Sequence, residues 1–155
     1  MRFGEFALEC YEIFRSRNGV YRNAFEKMPA EAIIAFIIGK AHRVKALFEV
    51  DGAREKILDD LKDIANYCFM LMAKENDALS FGDFMLMCFL EREDGYEGLS
   101  ADQLIEKMIE TADKLRENNG SSAPKKLAIL AYLLAARTQP PSPFSSGRGN
   151  AEKYA

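Results

Sequence analysis

The chain has 155 residues, 48% of them hydrophobic and 29% charged, which is typical of one globular domain with an ordinary core. A net charge of −3 argues against an extensive nucleic-acid-binding face, which needs a concentrated basic patch. The longest apolar runs, AIIAFIIG and LAILAYLLAA, are shorter than the roughly 20 residues that span a bilayer, so we expect no membrane partner.

The three cysteines, Cys10, Cys68 and Cys88, lie in apolar helical contexts and lack CxxC spacing. Their odd number and their spacing favour reduced core thiols over a disulfide framework. The N-terminal stretch MRFGEFALECYEIF carries acidic residues inside its apolar pattern, so it lacks the uninterrupted apolar core of a signal peptide. We therefore expect a cytoplasmic protein.

Helical periodicity dominates the first half of the chain. A spacing of i, i+4, i+7 and i+11 predicts a first helix over about residues 3 to 16, with the apolar stripe Phe3, Ala7, Cys10 and Phe14. The Gly-containing segment SRNGV is expected to end this helix. Pro29 fits the first position of a second helix over about residues 30 to 49, and Asp51-Gly52 breaks it. A third helix then runs to about Lys74.

Three further helices are predicted in the second half. The segment FGDFMLMCFLERE is short and mostly apolar, so we expect it to be buried. Ser100 and Gln103 form a capping-box pattern for a fifth helix, and Pro124 opens a sixth, KKLAILAYLLAART. The sixth helix is too apolar to be exposed, so it either completes the core or pairs with another subunit.

No segment shows the two-residue alternation of a strand, so the predicted fold is all-α with about six helices. We expect one domain over residues 1–120, followed by the C-terminal apolar helix over residues 121–138. Residues 139–155 are rich in Pro, Ser and Gly and are predicted to form a flexible tail.

The third helix carries a stripe of oxygen-bearing side chains within EKILDDLKDIANY. At 100° per residue, Glu55, Asp59, Asp63 and Asn66 fall within a sector of about 80°. Such a charge run is usually a solvated face. Three carboxylates on successive turns nevertheless concentrate negative charge that a cation would neutralise, and Mg²⁺ prefers oxygen ligands. Both interpretations remain open at this point.

The second helix carries a basic pair within its apolar pattern. Lys40 and Arg43 share a face with Phe36 and Leu47, which suggests that the two cations have an internal partner. That partner is either the Asp59 and Asp63 carboxylates, in a structural ion-pair network, or a bound phosphate.

The segment from Tyr21 to Leu71 resembles the nucleotide-modification-associated helical domain of phages and prokaryotes. The order and gaps of three clusters carry the resemblance: Tyr21, Asn23 and Phe25; Lys40, Arg43 and Leu47; and Glu55, Asp59, Asp63, Ala65, Asn66 and Tyr67. The chain departs from that pattern at Arg22, where the family usually has Gly, and at Gly39, where it has Asp.

That family is similar in helical layout to the MazG-like all-α nucleotide pyrophosphohydrolases, so the resemblance implies a MazG-like helical bundle with C-terminal additions. It implies Mg²⁺ as cofactor, held by Glu55, Asp59 and Asp63. It also implies a nucleotide bound by Lys40 and Arg43 at its phosphates and by Tyr21, Asn23 and Asn66. The implied reaction is hydrolysis of a phosphoanhydride bond in a nucleoside triphosphate or a modified nucleotide, in a dimer or tetramer.

A MazG-type site also needs an acidic helix opposite the third one, and the second helix here is basic. The nearest substitutes are Glu5, Glu9 and Glu12 of the first helix. The alternative function is a non-catalytic helical interaction protein, in which the same charges form a structural network. A nucleotide site requires the carboxylates to lie beside an open cleft, whereas the alternative requires none.

Overall fold

A computed structural model describes residues 1–21, 24–92, 94–117 and 122–138. Within these ranges the chain forms six α-helices and no strand: α1 (Phe3–Tyr21), α2 (Ala30–Leu47), α3 (Arg54–Glu75), α4 (Phe81–Leu90), α5 (Ala101–Lys114) and α6 (Ser122–Thr138). Short 3-10 turns occupy Ala24–Lys27, Asp94–Gly98 and Leu115–Glu117. The all-α prediction is confirmed. The predicted tail, residues 139–155, lies outside the described residues.

Local side-chain chemistry sets several helix boundaries. The Ser100 hydroxyl accepts a hydrogen bond from the Gln103 backbone N–H, and the Gln103 side chain accepts one from the Ser100 N–H, so the predicted capping box is confirmed. Ser80 caps α4 by accepting from the Asp83 N–H. Gly52 has a φ of +77°, a left-handed conformation that glycine adopts without strain, and it separates α2 from α3 as expected.

The predicted end of the first helix is wrong. The segment SRNGV does not form a loop, because α1 continues through Gly19 to Tyr21. A glycine inside a helix costs about 1 kcal/mol relative to alanine, and the extra turn gains an ion pair between Arg17 and Asp63. This tertiary contact cannot be read from the local sequence pattern, and it favours helix where Gly19 alone predicts a helix end.

The core is organised around α3 and α6, which form the most extensive contact between two helices of the described chain. Helix α2 packs against α3, α5 packs against both α2 and α6, and α1 packs against α3. The largest fully buried side chains include Leu61 and Ile64 of α3 and Leu127, Leu130 and Leu134 of α6. Helix α6 therefore lies inside the core of a single chain, where its apolar composition is satisfied.

The three cysteines lie in the core, as the sequence analysis predicts. Cys10, Cys68 and Cys88 are buried free thiols in the helical core. None of the helices in the described ranges combines the length and apolar character needed to cross a membrane.

Candidate functional site

An ion-pair network joins α1, α2 and α3. Lys40 Nζ lies 3.0 Å from Asp60 Oδ1 and 2.9 Å from Asp63 Oδ2. Arg17 Nη1 donates to Asp63 Oδ1 at 2.8 Å, and Arg43 Nε lies 3.1 Å from Asp60 Oδ2. The spacing of three residues within each helix places Lys40 above Arg43 on α2 and Asp60 above Asp63 on α3, so the two pairs face each other.

Burial differs sharply across this network. Asp60 and Asp63 are only 3% and 8% exposed, whereas the side chains of Arg17 and Arg43 are more than half exposed. Two carboxylates are thus taken out of water and compensated by three cations, as buried charges require. The network has an excess of positive charge, and that excess faces solvent at its two arginine ends.

The electrostatics of Lys40 follow from this position. Burial of the amine lowers its pKa, but the hydrogen bonds and negative charges of Asp63 and Asp60 outweigh burial, so the pKa of Lys40 lies above its ordinary value. Lys40 is therefore a fixed positive charge at neutral pH. The Arg43 contact is weaker in geometry, because Asp60 Oδ2 accepts no hydrogen bond from any described residue.

A cavity of about 330 Å³ opens beside the network, between α1, the turn at Ala24–Lys27, α2 and α3. Four aromatic rings line it, those of Phe14, Phe25, Phe36 and Tyr67. Phe36 and Tyr67 stack with their ring centroids 5.7 Å apart and their planes 14° apart, while Phe14 and Phe25 meet edge to face. The cavity is a mostly apolar slot with flat walls, a form common in small-molecule sites.

Polar groups lie at one side of this cavity. Arg17 and Asp63 belong both to its lining and to the ion-pair network. Asn66, one turn after Asp63, also lines the cavity and is 3% exposed. Its Nδ2 donates to the Cys10 carbonyl at 3.1 Å, and its Oδ1 accepts no hydrogen bond within the described part of the chain. An aromatic slot thus meets an unpaired acceptor and a cationic side chain.

The structure does not bring the three predicted metal ligands together at one point. Glu55 and Asp59 are exposed on α3, while Asp63 is engaged by Arg17 and Lys40. Across residues 1–21, 24–92, 94–117 and 122–138, no three His, Cys, Asp or Glu side chains are grouped so that they could hold a metal ion. Magnesium binding by Glu55, Asp59 and Asp63 stays a prediction that this geometry does not support.

The other predicted site residues divide into three groups. Lys40 and Arg43 contact carboxylates, one of the two alternatives for their partner, but the second carboxylate is Asp60 and not Asp59; phosphate binding by this pair stays a prediction. Asn66 lines the cavity. Asn23 lies outside the described residues, as does the side chain of Tyr21. The structure leaves the roles of both Tyr21 and Asn23 as predictions.

The first-helix glutamates do not join the network. Glu9 pairs with Lys62 of α3 at 2.9 Å, and Glu5 accepts a hydrogen bond from the backbone N–H of Arg2. Glu9 and Glu12 line a separate depression on the surface with Lys62. These glutamates therefore do not supply the missing acidic helix opposite Asp60 and Asp63.

Sequence reasoning missed Arg17 and Asp60. A signal for Asp60 was present, because its spacing from Ile57 and Ile64 places it within the apolar stripe of α3, where all three side chains are buried. No comparable signal marks Arg17, because it lies within SRNGV, a segment whose composition predicts a loop.

Comparison with known families bears on this same region. Residues 17–74 match the family described as nucleotide modification associated domain 1, which confirms the resemblance for this part of the chain. The matched segment contains all five residues of the ion-pair network and most of the cavity lining. No curated protein and no solved structure shows significant similarity to the chain, so the MazG-like relation stays a prediction.

Proposed function

We propose that this protein binds a nucleotide in the cavity between α1, α2 and α3. The observation that carries the proposal is the juxtaposition of an aromatic slot with the cationic ion-pair network, and most of both lies in the segment that matches a nucleotide-associated family. In this proposal the base lies among the aromatic rings and the phosphates extend toward Arg17.

The aromatic walls suit a planar heterocycle. Stacking of a base on an aromatic side chain contributes about 1–3 kcal/mol and tolerates any base, because every base has a π-face. Phe36 is the most accessible wall, since it lines the cavity and is 49% exposed. Its stacking partner Tyr67 packs against the ring, so Phe36 can offer a flat surface without first being ordered.

The side chain of Arg17 has the chemistry needed to bind the phosphates of the nucleotide. Its guanidinium has five N–H donors in a fork that matches phosphate geometry, and the Asp63 contact uses Nη1. The side chain is 56% exposed and lies at the cavity, so it can meet a phosphate in solvent. The charge excess of the network adds attraction for an anion.

Catalysis forms no part of this proposal. Asp60 and Asp63 already bind protein cations, and no further carboxylate joins them within the described ranges. Hydrolysis of a phosphoanhydride bond and a requirement for Mg²⁺ remain separate predictions. Isothermal titration calorimetry of nucleotide binding, run both with EDTA and with Mg²⁺, tests the metal requirement.

The test is isothermal titration calorimetry with the four common nucleosides and their mono- and triphosphates. Phe36→Ala should weaken binding of the tightest ligand by about 1–3 kcal/mol. Phe89→Ala is its matched control, because Phe89 is similarly exposed, at 47%, but lies on α4 away from the cavity. Equal binding by both variants would contradict the placement of the base.

Arg17→Met should weaken triphosphate binding more than nucleoside binding, because only the triphosphate carries the charge that Arg17 meets. Arg15→Met, a change to another exposed arginine of α1, should leave both unchanged. If no nucleoside or nucleotide binds the unaltered protein, the proposal fails and the structural ion-pair network is the better account of Lys40 and Arg43.

A further inference from the structure

The side chain of Asn66 is fixed in one orientation. A backbone carbonyl oxygen can only accept a hydrogen bond, so the Asn66 atom that lies 3.1 Å from the Cys10 oxygen must be the amide nitrogen. Swapping the two ends of the amide would place two acceptors against each other. Helix α1 therefore holds the nitrogen, and the oxygen is the end that remains for another partner.

That oxygen has no partner in the described chain. Only 3% of the surface of Asn66 is exposed, and its Oδ1 accepts no hydrogen bond. Buried polar groups without partners are uncommon in native structures and cost free energy. Because Asn66 lines the aromatic cavity, a ligand seated there can supply the missing donor.

We infer that Asn66 anchors the base of the bound nucleotide by accepting a hydrogen bond from an N–H group on the base edge. This inference rests on the proposed nucleotide binding. The donor is an exocyclic amino group in adenine or cytosine, and a ring N–H in guanine, uracil or thymine. An analogue of the base that lacks this donor is rejected, because it leaves the Asn66 oxygen buried and unpaired.

The rejection is expected to be strong for a physical reason. A site built to hydrogen-bond a ligand group discriminates against an analogue lacking that group far better than an apolar pocket discriminates by size.

The experiment compares the tightest-binding nucleotide with an analogue that lacks the donor and adds no bulk. Hydrogen replaces the amino group of adenine or cytosine, or the exocyclic oxygen O6 of guanine and O4 of uracil or thymine, which turns the neighbouring ring N–H into an acceptor nitrogen. The analogue should bind the unaltered protein at least about 10-fold more weakly. Asn66→Leu, where it folds, should bind parent and analogue within about 3-fold of each other.

The outcomes distinguish a failure of the Asn66 inference from a failure of the proposed nucleotide binding. If parent and analogue bind the unaltered protein equally, the inference about Asn66 is overturned while nucleotide binding stands. If neither the parent nor any other nucleotide binds, the proposed function itself fails. The comparison of ligands uses the unaltered protein, so it does not depend on whether Asn66→Leu folds.

Discussion

Lys40 Nζ on α2 lies 3.0 Å from Asp60 Oδ1 on α3, although the two residues are separated by a helix break at Gly52. The carboxylate is almost fully buried and the amine is partly buried. The pair therefore ties the two helices that form one side of the cavity, and its removal would leave a buried charge without compensation.

Lys40→Met should lower the free energy of unfolding by about 3 kcal/mol, because Asp60 and Asp63 would lose a shared cation inside the protein. Lys45→Met is the matched control. Lys45 lies on the same helix and contacts Glu106 at 2.9 Å, but both side chains are more than half exposed, so its loss should cost less than about 1 kcal/mol. Chemical denaturation measures both, and equal losses would refute a buried, stabilising role for Lys40.

The stabilisation from Lys40 should depend on pH in a defined direction. Its pKa is raised in the folded protein, where the paired carboxylates outweigh the effect of burial. The contribution is therefore complete below the unfolded pKa of about 10.4 and is lost as pH rises through the folded value. The difference in unfolding free energy between the unaltered protein and Lys40→Met should stay constant from about pH 7 to about pH 10 and shrink above that range. A decrease beginning near neutral pH would be inconsistent with this assignment.

The three cysteines should resist thiol reagents in the folded protein. Burial raises the pKa of Cys88 to about 12, with a further rise from Glu91 and an opposing effect of Lys125. Burial also raises the pKa of Cys10 and of Cys68 well above the ordinary value. Because the thiolate is the reactive form, Ellman's reagent at mildly alkaline pH should modify all three thiols only after denaturation. Rapid modification of any thiol in the folded state would show that its surroundings are more open.

Much of the fold was predictable because it follows local rules. Helical periodicity, the Ser100 capping box and the Gly52 break depend on residues close together in sequence. The end of α1 was not predictable in that way. Arg17, beyond the predicted end of α1, contacts Asp63, which lies 46 residues further along the chain.

The candidate site was predicted only in part for a related reason. Helical spacing showed that Lys40 and Arg43 share one face, but the choice between Asp59 and Asp60 depends on how α3 is rotated against α2. The apolar neighbours of Asp60 determine that rotation by turning it toward the core. The cavity could not be predicted at all, because Phe14 and Phe36 come from different helices and are brought together only by packing.

Nuclear magnetic resonance of protein labelled at its methionine methyl groups gives the most direct test of nucleotide binding in the cavity. Met28 and Met70 line the cavity, whereas Met85 and Met108 are buried in the core and are absent from its lining. On titration with the tightest-binding nucleotide, the account predicts that the methyl signals of Met28 and Met70 shift while those of Met85 and Met108 stay in place. Saturating nucleotide that shifts neither Met28 nor Met70 would contradict it.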